Sequence, residues 1–218
     1  MPIRIKVCGI TRFEDAKVAA SIGVDALGFI FYQRSPRYIP PEEAALIIKQ
    51  LPPFVSRVGV FVDEDQEKVV AIARATGIDT IQLHGTESPR YCSKLPLPII
   101  KAFSIEPDSD LSLLEQYHVA GFLLDTWASG KRGGTGKTFD WSIARSACIK
   151  YGRVILAGGL NPTNIEEALE SVHPYGIDIN SGVEIKPGIK NPRKMHDAVR
   201  IVRAWERGEK TPETFSLL

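Results

Sequence analysis

Five side chains able to move a proton or hold an anion stand where an apolar run gives way to a polar or glycine-rich stretch. Cys8 ends the run Ile3–Cys8, His84 follows Thr80–Leu83, Asp125 closes Gly121–Asp125, Asp178 lies in Gly176–Ile179, and Arg37 sits in the loop after Ala26–Phe31. A cysteine acts as a base or nucleophile through its thiolate, which a nearby positive charge favours, and Arg37 and His84 are the candidates for that charge. A carboxylate at a strand tip, such as Asp125, is suited to general-acid work when burial raises its pKa. Arg37, in the proline-stiffened segment Ser35-Pro36-Arg37-Tyr38, is suited to bidentate capture of a carboxylate. His84 can serve as a base or contact a substrate, and Asp178 can orient partners. Each residue also has a plainer explanation. Cys8 fits a small buried hydrophobe, and Asp125 fits a cap or an ion pair with Lys131 or Arg132. Arg37 fits a solvated charge, His84 a hydrogen-bonded structural histidine, and Asp178 an acceptor for backbone donors.

Two glycine-containing turns add an anion site. Gly158-Gly159 follows the run Val154–Ala157, and Asn180-Ser181-Gly182 follows Gly176–Ile179. Glycine lets the backbone approach a ligand and turn its N–H groups toward it, which suits a phosphate. The alternative is that these are tight turns with no ligand. A further stretch, Gly136-Lys137-Thr138, resembles the end of a nucleotide-binding loop. That motif needs a glycine where this chain has Lys131, and Gly130 falls one residue too early. The strand before it also ends too far upstream. A nucleotide-hydrolysing protein is therefore disfavoured.

The elements that must position these groups are eight short apolar runs. They are Ile3–Cys8, Ala26–Phe31, Arg57–Val62, Thr80–Leu83, Ile99–Phe103, Gly121–Asp125, Val154–Ala157 and Gly176–Ile179. They are nearly continuous rather than alternating, as expected of parallel strands covered on both faces. Helix-start signals lie between them. Pro40-Pro41-Glu42-Glu43 opens Ala44–Gln50, Asn161-Pro162-Thr163-Asn164 opens Ile165–Ser171, and Asn191-Pro192 opens a helix to about Arg207. Another begins near Asp140 and runs to Lys150, and a short weak one follows Ser88-Pro89. Strand starts recur about every 25 residues. That spacing predicts an α/β fold, a single-domain (β/α)8 TIM barrel over residues 1–207, with a polar tail at 208–218. In such a barrel the ends of the strands share one rim, where function resides.

With 27 basic and 26 acidic residues in 218, the chain has no charge excess suggesting nucleic acid or an anionic membrane surface. No apolar run is long enough to span a bilayer, and the start of the chain runs into a strand pattern without a signal-peptide core. Cys8, Cys92 and Cys148, an odd set without CxxC spacing, argue against a disulfide framework and against zinc. The expectation is a cytoplasmic protein without metal or cofactor, acting on a phosphorylated small molecule, as a monomer or homodimer.

Seven segments in order carry a resemblance that covers essentially the whole chain. They are Lys6-Val7-Cys8-Gly9-Ile10-Thr11, Ser35-Pro36-Arg37-Tyr38, Gln82-Leu83-His84-Gly85, Phe122-Leu123-Leu124-Asp125, Gly133 through Trp141, Ala157-Gly158-Gly159-Leu160 and Ser181-Gly182-Val183-Glu184. The chain resembles phosphoribosylanthranilate isomerase of tryptophan biosynthesis. The resemblance implies an Amadori rearrangement of N-(5-phosphoribosyl)anthranilate, with Asp125 as general acid and Cys8 as the base at the sugar C2′. It also implies that Arg37 holds the anthranilate carboxylate and that Gly158, Gly159, Asn180, Ser181 and Gly182 hold the phosphate. His84 and Asp178 are further substrate-binding candidates. Asn180 departs from the usual serine of the family, which leaves a backbone contact available at this position. Rivals on the same fold are a sugar isomerase of histidine biosynthesis and indole-glycerol-phosphate synthase. The first resembles a twofold repeat with an aspartate where this chain has Cys8, and the second needs a lysine acid. A phosphate-binding module without catalysis would have no use for a thiol and a carboxylate on one rim.

Overall fold

Eight parallel strands close on themselves in the order of the chain: β1 (Arg4–Val7), β2 (Ala26–Ile30), β3 (Ser56–Phe61), β4 (Thr80–Leu83), β5 (Ile99–Ser104), β6 (Gly121–Asp125), β7 (Val154–Ala157) and β8 (Gly176–Ile179). The computed structural model describes residues 1–105, 110–125 and 141–209. Asp140, the Gly136-Lys137-Thr138 stretch and the tail beyond residue 209 lie outside the described residues.

The helices between strands are α1 (Phe13–Ser21), α2 (Pro41–Ile48), α3 (Gln66–Thr76), α4 (Pro89–Cys92), α5 (Ser142–Tyr151), α6 (Ile165–Val172) and α7 (Pro192–Glu206). Their ends follow local chemistry. Asp65 caps α3 by accepting from the N–H groups of Glu67 and Lys68, and Gly77 stops it at φ 76°. Ser88 caps the short α4, and Asn191 with Pro192 opens α7. Between β5 and β6 the described residues hold a 3-10 turn, Leu111–Gln116, in place of an α-helix. The small hairpin β9 (Glu184–Lys186) and β10 (Ile189–Lys190) after β8 was not expected from the sequence.

Successive strand residues face opposite sides of the sheet. One set, including Leu27, Ile81, Leu83, Leu124, Leu156 and Ile177, is fully buried with the helix residues Ala16, Ala44, Ala168 and Ala198 in one apolar cluster. Each such large side chain contributes about 1.5–3 kcal/mol by leaving water. The other set points into the barrel and forms two smaller clusters, Cys8 with Ile30 and Val60, and Ala102 with Leu123 and Ala157. The interior is therefore packed, and polar inward residues gather toward the strand ends. Among the described residues no helix is long and apolar enough to cross a membrane.

Candidate active site

Spacing of two along a strand sends alternate residues to the same side, so each chemical group has a partner below it. Lys6 and Cys8 share the inner face of β1, Gln82 and His84 that of β4, and Asp178 and Asn180 that of β8. At the C-terminal ends of the strands a cavity of about 290 Å3 is lined by Cys8, His84, Asp125, Asp178, Gly158, Gly159, Asn180 and Ser181, among others. The predicted thiol, carboxylates, histidine and phosphate loops are thus brought together. Arg37 and Gly182 do not line it.

Cys8 is 4% exposed, and its N–H donates to Ile179 O at 2.9 Å, tying it to the end of β8. Gly28 on β2 makes room for it, since a Cβ there would lie 2.7 Å from the sulfur. Burial pushes the thiol above its ordinary range, against the pull of Lys6 and Lys190. The cations acting most on Cys8 are these two lysines, which the sequence did not suggest beside Arg37 and His84. Lys6 lies opposite Asp178 in the β1–β8 register and donates to its Oδ2 at 2.8 Å.

Asp125 ends β6 with its side chain 27% exposed. His84 turns toward it, with Nε2 3.6 Å from Asp125 Oδ2. The Gln82 amide nitrogen lies 3.3 Å from His84 Nδ1, while Gln82 Oε1 is buried without a partner. Asp178 Oδ1 is likewise buried and unpartnered. Both residues line the cavity, but these two oxygens are themselves shielded from solvent. The loop carrying His84 is braced from outside the barrel. Lys101 Nζ donates to Glu87 at 3.0 Å and to the carbonyl of Gly85 at 2.8 Å.

Arg37 is already engaged, contrary to the expectation of a free clamp. Its Nε and Nη2 donate to Glu184, at 2.9 Å to Oε1 and 2.7 Å to Oε2. Glu184 also accepts from Lys190 Nζ at 2.9 Å and from the Gly188 N–H. Burial alone would raise the Glu184 carboxyl, but Arg37 and Lys190 together hold it below its usual range. This pairing takes one edge of the guanidinium. Nη1, at the other edge, donates to no acceptor among the described residues.

The phosphate loops have the backbone that glycine permits, with φ of 96° at Gly158 and 64° at Gly159. The side-chain amides of Asn161 and Asn164 donate to Gly159 O at 3.0 and 3.2 Å and hold that peptide. The N–H groups of Gly158, Gly159, Ser181 and Gly182 donate to no backbone acceptor among the described residues. Gly182 is required for packing, because a Cβ would lie 1.9 Å from Leu160 O. Asn180 Oδ1 accepts from Lys190 Nζ at 3.0 Å. Lysine has only donors, so this bond fixes the amide and turns its NH2 away from Lys190.

The groups not foreseen from the sequence are Lys6, Gln82, Glu184, Lys190, Asn161 and Asn164. Lys6 carried a signal: a lysine inside an apolar run, two residues before Cys8 and so on the same face. A second cavity of about 340 Å3 opens at the other end of the barrel, but it holds no thiol, histidine or glycine turn.

A family model described as N-(5'-phosphoribosyl)anthranilate isomerase matches residues 5–200. An N-(5'-phosphoribosyl)anthranilate isomerase of Pelobacter propionicus is 47% identical over 201 residues, covering 92% of this chain and 96% of its own. The crystal structure of phosphoribosyl anthranilate isomerase from Thermotoga maritima superposes with a TM-score of 0.83 at 39% identity, covering 93% of this chain and 99% of its own. A solved isomerase in complex with reduced 1-(o-carboxyphenylamino)-1-deoxyribulose 5-phosphate gives a TM-score of 0.80 at 37% identity, with 93% and 99% covered.

Proposed function

The chain belongs to the N-(5'-phosphoribosyl)anthranilate isomerase family, and we propose that Cys8 and Asp125 divide the proton transfers of its reaction between them. It is an aldose–ketose isomerase of tryptophan biosynthesis, converting N-(5-phosphoribosyl)anthranilate to 1-(2-carboxyphenylamino)-1-deoxyribulose 5-phosphate.

Asp125 gives a proton to the ribose ring oxygen. The C1′–O bond breaks, the nitrogen lone pair closes a C1′=N iminium, and the furanose opens. The Cys8 thiolate then takes the proton from C2′. The electrons of that C–H bond form C1′=C2′ and neutralise the iminium nitrogen. The resulting enolamine tautomerises to the ketone, its hydroxyl losing a proton as C1′ gains one. The iminium is the electron sink, so no metal or organic cofactor enters. The observation that carries the assignment is the single cavity bordered by a buried thiol from β1 and a carboxylate from β6.

Positioning follows from two anchors. The free edge of Arg37, stiffened by Glu184, holds the anthranilate carboxylate. The N–H groups of Gly158, Gly159, Ser181 and Gly182, with the Asn180 amide, hold the phosphate. His84, 3.6 Å from the carboxylate, steadies Asp125. Among the described residues no lysine lines the cavity, which weighs against a synthase that needs a lysine acid. Residues 1–207 form the catalytic unit, placed in the cytoplasm, as a monomer or homodimer.

The test is loss of anthranilate-type substrate fluorescence, with phosphoribosylanthranilate generated in situ and metal and cofactor omitted. Wild type should turn over rapidly, and Cys8→Ser and Asp125→Asn should each lose about two to four orders of magnitude in kcat. Near wild-type turnover by either variant would remove that residue from the mechanism.

A further inference from the structure

The mechanism asks for a thiolate at a place where burial opposes one. Arg37 is paired with Glu184, and His84 lies against Asp125 and Gln82. Lys190 Nζ is held by Glu184 Oε1 and by both oxygens of Asn180. Lys6 is 4% exposed and has one oxygen acceptor among the described residues against three for Lys190: it donates to one oxygen of Asp178, itself 8% exposed.

The geometry ties this ammonium to the sulfur. Lys6 and Cys8 are neighbours on the inner face of β1, and Gly28 of β2 leaves one niche for both. A Cβ placed on Gly28 would lie 2.7 Å from Cys8 Sγ and 3.2 Å from Lys6 Cε. The second oxygen of Asp178 is buried without a partner, so the carboxylate does not balance its charge on other groups in that direction. Lys6 and Asp178 therefore form a buried pair directly beneath the base, with the cation closer to neutralisation by whichever anion holds it.

We propose that Lys6 is the positioning residue for Cys8: its ammonium is shared between Asp178 and the sulfur, it keeps the thiolate inside the barrel, and Asp178 moderates the effect by competing for the same cation. Lys6 keeps its own proton throughout, while Cys8 alone gains and returns the proton of C2′. Burial and Asp178 push the Cys8 thiol up, and Lys6 and Lys190 pull it down.

The proposal rests on Cys8 as the base, and the experiment separates the two. The rate at which iodoacetamide alkylates Cys8 in the free protein, followed by mass spectrometry of the Cys8 peptide, is measured against pH. Removing the cation in Lys6→Met should move the midpoint up by about one pH unit or more. Removing the competing anion in Asp178→Asn should move it down. Lys6→Arg should restore most of the wild-type midpoint, and the pH limb of kcat should follow the alkylation midpoint in each variant. Circular dichroism checks folding, and if Lys6→Met does not fold, Lys6→Gln, which keeps a polar group at the site without the charge, carries the test by the same upward shift. Midpoints that stay put in both folded variants, or that move in the same direction, would overturn the proposal. Retained turnover by Cys8→Ser would overturn the base assignment instead, and the alkylation shifts would still report on Lys6.

Discussion

His84 Nε2 lies 3.6 Å from Asp125 Oδ2, and its other ring nitrogen lies 3.3 Å from the Gln82 amide nitrogen. An amide N–H only donates, so with Gln82 in this orientation Nδ1 accepts and the proton of the neutral ring sits on Nε2, facing Asp125. The pair is longer than a full hydrogen bond. It fits a side chain that tightens on the carboxylate when substrate arrives.

His84→Ala should therefore lower kcat about tenfold, on the order of 1.4 kcal/mol of transition-state stabilisation, with a smaller change in KM. Gln82→Leu should repeat part of that loss, because it removes the amide that holds His84 Nδ1. Steady-state kinetics on both variants decide this. Wild-type kcat in His84→Ala would reduce His84 to a wall residue.

Arg37→Ala should mainly raise KM, since a carboxylate clamp acts on ground and transition states alike. Glu184→Ala should raise KM too, by releasing the guanidinium, and should also destabilise the fold by about 3–5 kcal/mol because it strands the fully buried Lys190. Chemical denaturation measures the second effect. A fall in kcat alone for Arg37→Ala would make Arg37 part of the chemistry rather than an anchor.

The same carboxylate gives a pH dependence of stability. Glu184 is held below its ordinary value of 4.5 in the folded protein, so its contribution is present above that pH and is lost as pH falls through the folded value. Denaturant midpoints measured from pH 6 downward should show a steepening below about pH 4.5 that Glu184→Gln flattens. Identical acid limbs in the two proteins would assign the acid loss to other carboxylates.

Gly28→Ala should damage catalysis more than binding. The new methyl group would fall 2.7 Å from Cys8 Sγ and 3.1 Å from Cys8 Cα, so the thiol must move. A kcat reduced by about tenfold or more with KM near wild type is expected, because a small displacement of a reacting group is costly. Unchanged kcat with a folded protein would mean the sulfur works from elsewhere in the niche.

The barrel was legible because its strands are covered on both faces and read as apolar runs, and β4, β6, β7 and β8 begin and end where the hydrophobicity does. The rim followed from knowing where strands end. What the sequence hid is the pairing beneath the rim. Lys6 and Asp178 are 172 residues apart, and nothing local announces that closure of the barrel sets β1 against β8. Lys101 on β5 and Glu87 in the loop after β4 pair between neighbouring strands, where no local pattern announces them either. The hairpin β9–β10 was missed because Glu184–Lys186 is short and largely exposed, with no apolar run to mark it. That hairpin sets Lys190 against Glu184, the carboxylate that also holds Arg37.

The division of labour between Asp125 and Cys8 is tested most directly by trapping the open-chain imine. Enzyme at stoichiometric concentration is mixed rapidly with phosphoribosylanthranilate and quenched with borohydride, which reduces a Schiff base to a stable amine. Cys8→Ser, with its acid intact, should open the ring and accumulate the reduced adduct, while Asp125→Asn should stall before opening and yield little. Accumulation in Asp125→Asn equal to or above that in Cys8→Ser would contradict the assignment, because the carboxylate would then act after the ring had opened.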